Sequence, residues 1–245
     1  MYGREAAEVY DIIYRQRKDY AAEAEGFATA IARDFPDATS MLDVACGTGE
    51  HLRFLQKSFS YVEGLDVAES MCEVAREKLP GVTIHRADMR DFEIGRRFDG
   101  IICPFSSIAH AGTVRGLNAA ISCMARHLTP GGVLAVEPWI FPERLNSARP
   151  VGHTSTTGQL SHDAVTEEGR IVSTVSRFSV TERIAHMDIH YLFGDQSGVR
   201  YFMDSLDLTL FTRQEYEEAF LEAGCDVTFH EGPPWQCGLF VGVLS

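Results

Sequence analysis

Three acidic residues stand where the binding edge of a sheet would need them. Asp43 lies in Leu42-Asp43-Val44-Ala45-Cys46-Gly47-Thr48-Gly49-Glu50, an apolar run that ends in a glycine turn. Asp66 closes the next apolar run, near the roughly 20-residue offset of an acid that grips ribose hydroxyls. Asp88 follows a third run, in Ala87-Asp88-Met89-Arg90. Gly47 and Gly49 allow a close approach of backbone to ligand, where a Cβ would collide. The charges then select the ligand. A dinucleotide would bring its pyrophosphate to the turn, against a neighbouring acid. A nucleoside with a cationic amino-acid tail fits better, with Asp43 toward the cation, Asp66 on the ribose and Asp88 on the adenine amino group. Leu52 agrees, because it stands where a dinucleotide fingerprint carries its third glycine. A lone Gly-x-Gly would be compatible with a plain turn and solubilising strand-end acids. The three acids in register with it make the pattern specific.

The elements that position these residues follow from periodicity. Residues 5–34 repeat with helical spacing, broken near 15–19. Strands are expected at 40–45, 62–66, 82–86, 99–104 and 132–137, and helices at 51–59, 69–78 and 113–127. Pro130-Gly131-Gly132 reads as a turn before the fifth strand. Strands alternating with helices imply a parallel sheet with right-handed crossovers. From 150 to 211 the pattern changes to alternating strands, with turns expected at Thr157-Gly158, Glu168-Gly169 and 194–198. A helix at 214–223 and strands at 226–230 and 239–243 close the chain. The expected fold is α/β: a Rossmann-like, mostly parallel sheet. Residues 1–138 and 212–245 form its core, and 139–211 form an antiparallel β insertion over it.

Bulk properties narrow the function classes. The 245 residues carry 22 bases against 35 acids, a net charge of −13. Phosphate-backbone binding needs a basic surface, so nucleic acid is not an expected partner, and neither is an anionic membrane. The N-terminal residues lack the apolar stretch of a signal peptide, and no run has the length of a membrane span. The six cysteines, Cys46, Cys72, Cys103, Cys123, Cys225 and Cys237, show no metal-ligand spacing. A cytoplasmic protein without metal or disulfides is expected.

The stretch 40–137 resembles class I S-adenosylmethionine (SAM)-dependent methyltransferases. The resemblance implies SAM as cofactor, a seven-stranded sheet whose last strand is antiparallel, and cofactor contacts from Asp43, Gly47, Gly49, Asp66, Asp88 and Met89. A narrower resemblance spans nearly the whole chain. Ala7-Glu8-Val9-Tyr10-Asp11, Phe105-Ser106-Ser107-Ile108, Glu137-Pro138-Trp139 and Leu210-Phe211-Thr212-Arg213 are similar to segments of TDP-amino-sugar N,N-dimethyltransferases of macrolide deoxysugar pathways. That likeness implies a nucleotide-linked amino sugar as substrate. It implies Tyr2 and His110 near the acceptor amine, Tyr10 beside the cofactor, and Ser106 and Trp139 at the substrate, although Trp139 also fits a core role. His190, in an alternating strand, reads as structural.

The chain departs from that pattern in three places. Cys237 stands where relatives carry an Arg before the final Gly-Leu-Phe. Leu206-Asp207-Leu208-Thr209 replaces a His-Arg-Ile-Thr segment, and Trp139-Ile140-Phe141 replaces Trp-Trp-Phe. Arg177 and Arg200, with Arg213 nearby, are the candidates to supply the lost charge to the substrate. A homodimer is compatible with the sequence. The alternatives are a different small-molecule amine or hydroxyl as acceptor, or a module that binds SAM without turning it over.

Overall fold

Strands with no polar face must be covered on both sides, and this requirement sets the architecture. In the computed structural model, which describes residues 3–145 and 159–245, β1 (Ser40–Val44) is buried along its whole length. It pairs in parallel with β2 (Tyr61–Asp66) and β4 (Phe98–Cys103), bringing Asp43 opposite Gly64 and Ile102. β3 (Thr83–Arg86), β5 (Leu128–Val136), β10 (Cys225–Gly232) and β11 (Trp235–Leu244) complete a seven-stranded sheet in the order β10-β11-β5-β4-β1-β2-β3. β11 runs antiparallel to both its neighbours. Strand order reverses between β1 and β4, and open α/β sheets bind their ligands in the crevice beyond such a point.

Two core layers cover the sheet. One face carries α2 (Tyr20–Asp34), α3 (Glu50–Leu55) and α4 (Glu69–Lys78), which bury Phe27, Ile31, Leu52, Leu55, Cys72 and Ala75. The other carries α5 (Val114–Arg126) and α7 (Arg213–Glu222), which bury Leu117, Ile121, Met124, Tyr216 and Phe220. A short helix, α6 (Pro142–Leu145), follows β5. The Thr212 hydroxyl and Glu215 cap α7 reciprocally, a box that halts the chain as it leaves the second sheet.

That second sheet is antiparallel, ordered β6 (Gln159–Glu167), β7 (Arg170–Thr181), β8 (Ile184–Asp195) and β9 (Gly198–Thr209). Its inner face packs on α1 (Arg4–Tyr14): Val9, Ile12 and Ile13 meet Val165, Val172, Ile189, Tyr191, Phe193 and Leu206. The other side of α1 puts Ala7 against Ala68 and Met71 of the α4 region. The N-terminal helix therefore joins the two sheets.

One sequence expectation is corrected, and one turn was missed. Pro130-Gly131-Gly132 is not a turn before a strand. It lies inside β5, where the register with β4 slips between Phe98 and Gly100 and Gly131 takes a φ of 76°. Extra residues inside a strand form a bulge, and the ladder continues past it. The hairpin at Glu182-Arg183 was not expected, because no glycine, proline or asparagine marks it; Glu182 itself adopts the left-handed form. The Thr157-Gly158 turn lies outside the described residues. All six cysteines are free thiols. Among the described residues no helix is long and apolar enough to cross a membrane.

Candidate active site

The crevice is built on β1. After Val44 the chain turns through Ala45 (φ 61°) and Gly47 (φ 54°), and Gly49 (φ 81°) opens α3. The two glycines have different reasons. A Cβ on Gly47 would meet nothing within 4 Å, so its hydrogen faces open space in front of the loop. A Cβ on Gly49 would come within 2.8 Å of the Leu79 side chain, so this glycine lets α3 settle against α4.

Asp43 is fully buried, and among the described residues neither carboxylate oxygen has a hydrogen-bond partner. Burial, and then the charge of Asp66, hold its pKa well above the usual carboxylate range. Such a group requires a donor or a cation. Asp66 is also buried, but it is satisfied: its Oδ2 accepts from the Gly47 amide at 2.9 Å and its Oδ1 from the Ala68 amide at 2.8 Å. Burial outweighs these bonds and raises its pKa as well. Asp66 thus anchors the loop that Asp43 underlies. Asp88 is forked by Arg90, through Nε at 2.9 Å and Nη2 at 2.6 Å, and this pair holds its pKa down. Met89 rests half-buried on the core.

A cleft opens over the loop, lined by Tyr10, Tyr20, Ala45, Gly47, Thr48 and Phe105 among others. The helix α1 is tied across it. The Thr48 hydroxyl and the Lys78 ammonium both donate to Asp11, and Arg15 and Lys78 both donate to Glu50. Burial works against the Glu50 carboxylate, yet those two cations hold it down at about 2. Behind the cleft His51 and Glu23 form a buried pair at 2.8 Å.

The far wall comes from the ends of β4 and β5. Phe105 and Ser106 are both left-handed, and the Ser106 hydroxyl donates to the Pro138 carbonyl at 2.9 Å. That hydroxyl, expected at the substrate, has a structural partner. His110 sits on the 3-10 turn Ser107–Ala111, partly desolvated by the neighbouring protein, which lowers its pKa. Trp139 is half-buried and edge-on to Phe178 of β7, with ring centroids 6.1 Å apart. Strand alternation places exposed Arg177 on the face opposite Phe178, opposite Asp188 in register. Arg200 binds Glu8 of α1 at 3.0 Å and lies 4.7 Å over the Phe193 ring. The two arginines do not converge. Tyr2 lies outside the described residues.

Several residues of this site were not singled out from the sequence. Asp11, Glu50 and Lys78 give no local signal, since they meet only in three dimensions. Glu137 could have been found, because it stands at the carboxyl edge of a strand as Asp43 and Asp66 do.

A mostly parallel sheet with an orphaned buried acid and an open glycine cradle at its switch point fits a cationic nucleoside ligand. Fold and site define a SAM-dependent methyltransferase, and residues 41–132 match a family model described as a methyltransferase domain. The chain is 44% identical, over 99% of both chains, to the dTDP-3-amino-3,4,6-trideoxy-alpha-D-glucopyranose N,N-dimethyltransferase of Streptomyces venezuelae. The crystal structure of DesVI from the same organism superposes with a TM-score of 0.89 at 43% identity, covering 100% of each chain. The SAM-bound structure of CalS10, an amino pentose methyltransferase from Micromonospora echinaspora, gives 0.83 at 42% identity and covers 97% of each. The chain belongs to the family of amino-sugar N,N-dimethyltransferases.

Proposed function

We propose that the chain methylates, twice in succession, the amino group of a TDP-linked amino deoxysugar. Full-length similarity to a dimethyltransferase of that substrate class carries the reading, because it extends through the second sheet, where acceptor contacts would lie. The cofactor supplies an electrophilic methyl group on a sulfonium. Asp43 would face its cationic portion, the Gly47 backbone would lie against it, and Asp66, Asp88, Met89 and Tyr10 would flank its nucleoside.

An amine attacks only in its neutral form. We assign His110, whose pKa burial lowers below the usual imidazole value, the role of receiving the proton an ammonium must lose. Tyr2 is the second candidate at the amine. Trp139, with Phe178 against its edge, would wall the sugar. Positioning contributes more than the base, because a deprotonated amine needs no further activation. With Cys237 in place of an Arg, and Arg177 and Arg200 apart, the diphosphate would rest on polar groups other than a paired arginine clamp.

The second sheet supports a homodimer. Its outer face exposes Ile171, Val175, Leu192, Val199, Tyr201 and Met203 on three adjacent strands, an apolar surface that a second copy could cover.

The test is mass spectrometry of products from a panel of TDP-3-amino and TDP-4-amino sugars, with S-adenosylhomocysteine measured in parallel. A singly and then a doubly methylated amine is expected. Methylation of a hydroxyl, or of free amino glycosides only, would replace the reading. Near-complete loss of activity in His110→Ala with a steep pH limb would point to the hydroxyl.

A further inference from the structure

The carboxyl edge of the first sheet holds one buried acid that the cofactor does not account for. Glu137 follows β5 directly and is 6% exposed. Its Oε2 accepts a 2.6 Å hydrogen bond from the Phe105 amide, and its own amide donates to the Cys103 carbonyl at 3.0 Å. Phe105 and Ser106 are consecutive non-glycine residues at φ 54° and 56°. That region is unfavourable for a residue with a side chain and persists only where the surroundings impose it. Here two bonds from the start of the next loop impose it: Glu137 on the Phe105 amide, and the Pro138 carbonyl on the Ser106 hydroxyl. The turn they hold places Phe105 in the lining of the cleft, beside Tyr10, Ala45 and Gly47. Tyr14 meets its ring edge-on at 5.1 Å, and the Lys18 ammonium lies 3.8 Å from its centroid.

We propose that Glu137 is a positioning residue for methyl transfer: its carboxylate keeps the Phe105-Ser106 turn left-handed and so sets the wall against which donor and acceptor align. An apolar side chain would fill the same space without burying a charge, so packing alone does not explain an acid there. Burial pushes the Glu137 pKa up to about 7, with the charge of Lys18 opposing the rise and that of Glu23 adding to it. In-line displacement loses rate steeply when reacting atoms shift, by about 100-fold for 1 Å. A relaxed turn should therefore appear in kcat, with KM and cofactor affinity little changed.

Amide hydrogen exchange at Phe105, followed by NMR, tests the clamp without any acceptor. Strong protection is expected in the wild type and in Glu137→Gln, whose side-chain oxygen still accepts, and its loss in Glu137→Ala. The turnover measurement rests on the amino-sugar reading. There Glu137→Ala should lower kcat about 30-fold or more with KM and SAM Kd within about threefold, and Glu137→Gln should retain most of the rate. In a Ser106→Gly background, where the left-handed form costs little, the Glu137→Ala loss should shrink to about fivefold or less. If Glu137→Ala does not fold, Glu137→Leu fills the space and carries the same comparison. A rapidly exchanging Phe105 amide in the wild type would overturn the proposal. So would equal losses in the Gln and Ala variants, or an undiminished loss in the Ser106→Gly background. Intact protection with no wild-type turnover would instead remove the amino-sugar reading.

Discussion

Asp43 shows what a binding site costs the protein that carries it. A fully buried carboxylate without partners is a liability until its ligand arrives. Its pKa lies well above the usual 3.8, so between those two values the native state holds a proton the unfolded state has lost. Stability without cofactor therefore falls as pH rises across that window. Asp43→Asn keeps the shape and removes the charge. Thermal melts should show a higher Tm than the wild type at neutral pH and a flatter pH dependence. Calorimetry should show SAM affinity weaker by roughly 1.5–3 kcal/mol, the worth of a hydrogen bond to a charged group. In the wild type, SAM affinity should rise with pH as Asp43 ionises. A Tm unchanged by the substitution, or unchanged affinity, would show that Asp43 does not meet the cofactor's charge.

At the scale of elements, α1 matters more than its length implies. It buries Val9, Ile12 and Ile13 against the second sheet and Ala7 against the α4 region, and Asp11 and Arg15 pin it to Thr48, Lys78 and Glu50. Ile12→Ala should destabilise the protein by about 2–5 kcal/mol in denaturant unfolding, as loss of a buried Ile side chain does. A loss under about 1 kcal/mol would mean that α1 docks only through its charges. The helix was legible in the sequence because its apolar residues recur at helical spacing. The parallel strands were legible because burial on both faces makes them continuous apolar runs. The clasp was not, since ion pairs among Asp11, Glu50 and Lys78 join residues far apart in the chain and leave no periodic trace. Nor was the face on which Arg177 falls. Strand parity depends on where each hairpin turns, and the turn at Glu182 carries none of the usual residues. Gly49 was legible as a necessary glycine, but its reason, the approach of Leu79, belongs to packing.

The whole molecule combines a net charge of −13 with a bare apolar sheet face. Like charge opposes self-association, and apolar burial favours it; salt weakens the first and leaves the second. Light scattering should find a dimer that tightens with added salt. Val199 is 75% exposed, so Val199→Asp can disturb the face without opening the core. It should yield a folded monomer with an unchanged melting curve at low protein concentration. A wild type that stays monomeric at high salt would remove the dimer reading.

The buried acids beneath the cleft also bear on how a spent cofactor departs. The methyl donor carries a positive sulfur, and the molecule left after transfer carries a neutral thioether of nearly the same shape. Asp43, without a hydrogen-bond partner among the described residues, would lie against the amino-acid tail common to both, yet it would still attract the donor, with its extra positive charge, more than the product. On that reading, attraction present on arrival would be diminished after reaction, and the floor would favour exchange of old for new. Because these acids are out of water, dissolved ions screen them little, and that preference should persist at salt concentrations that erase surface electrostatics.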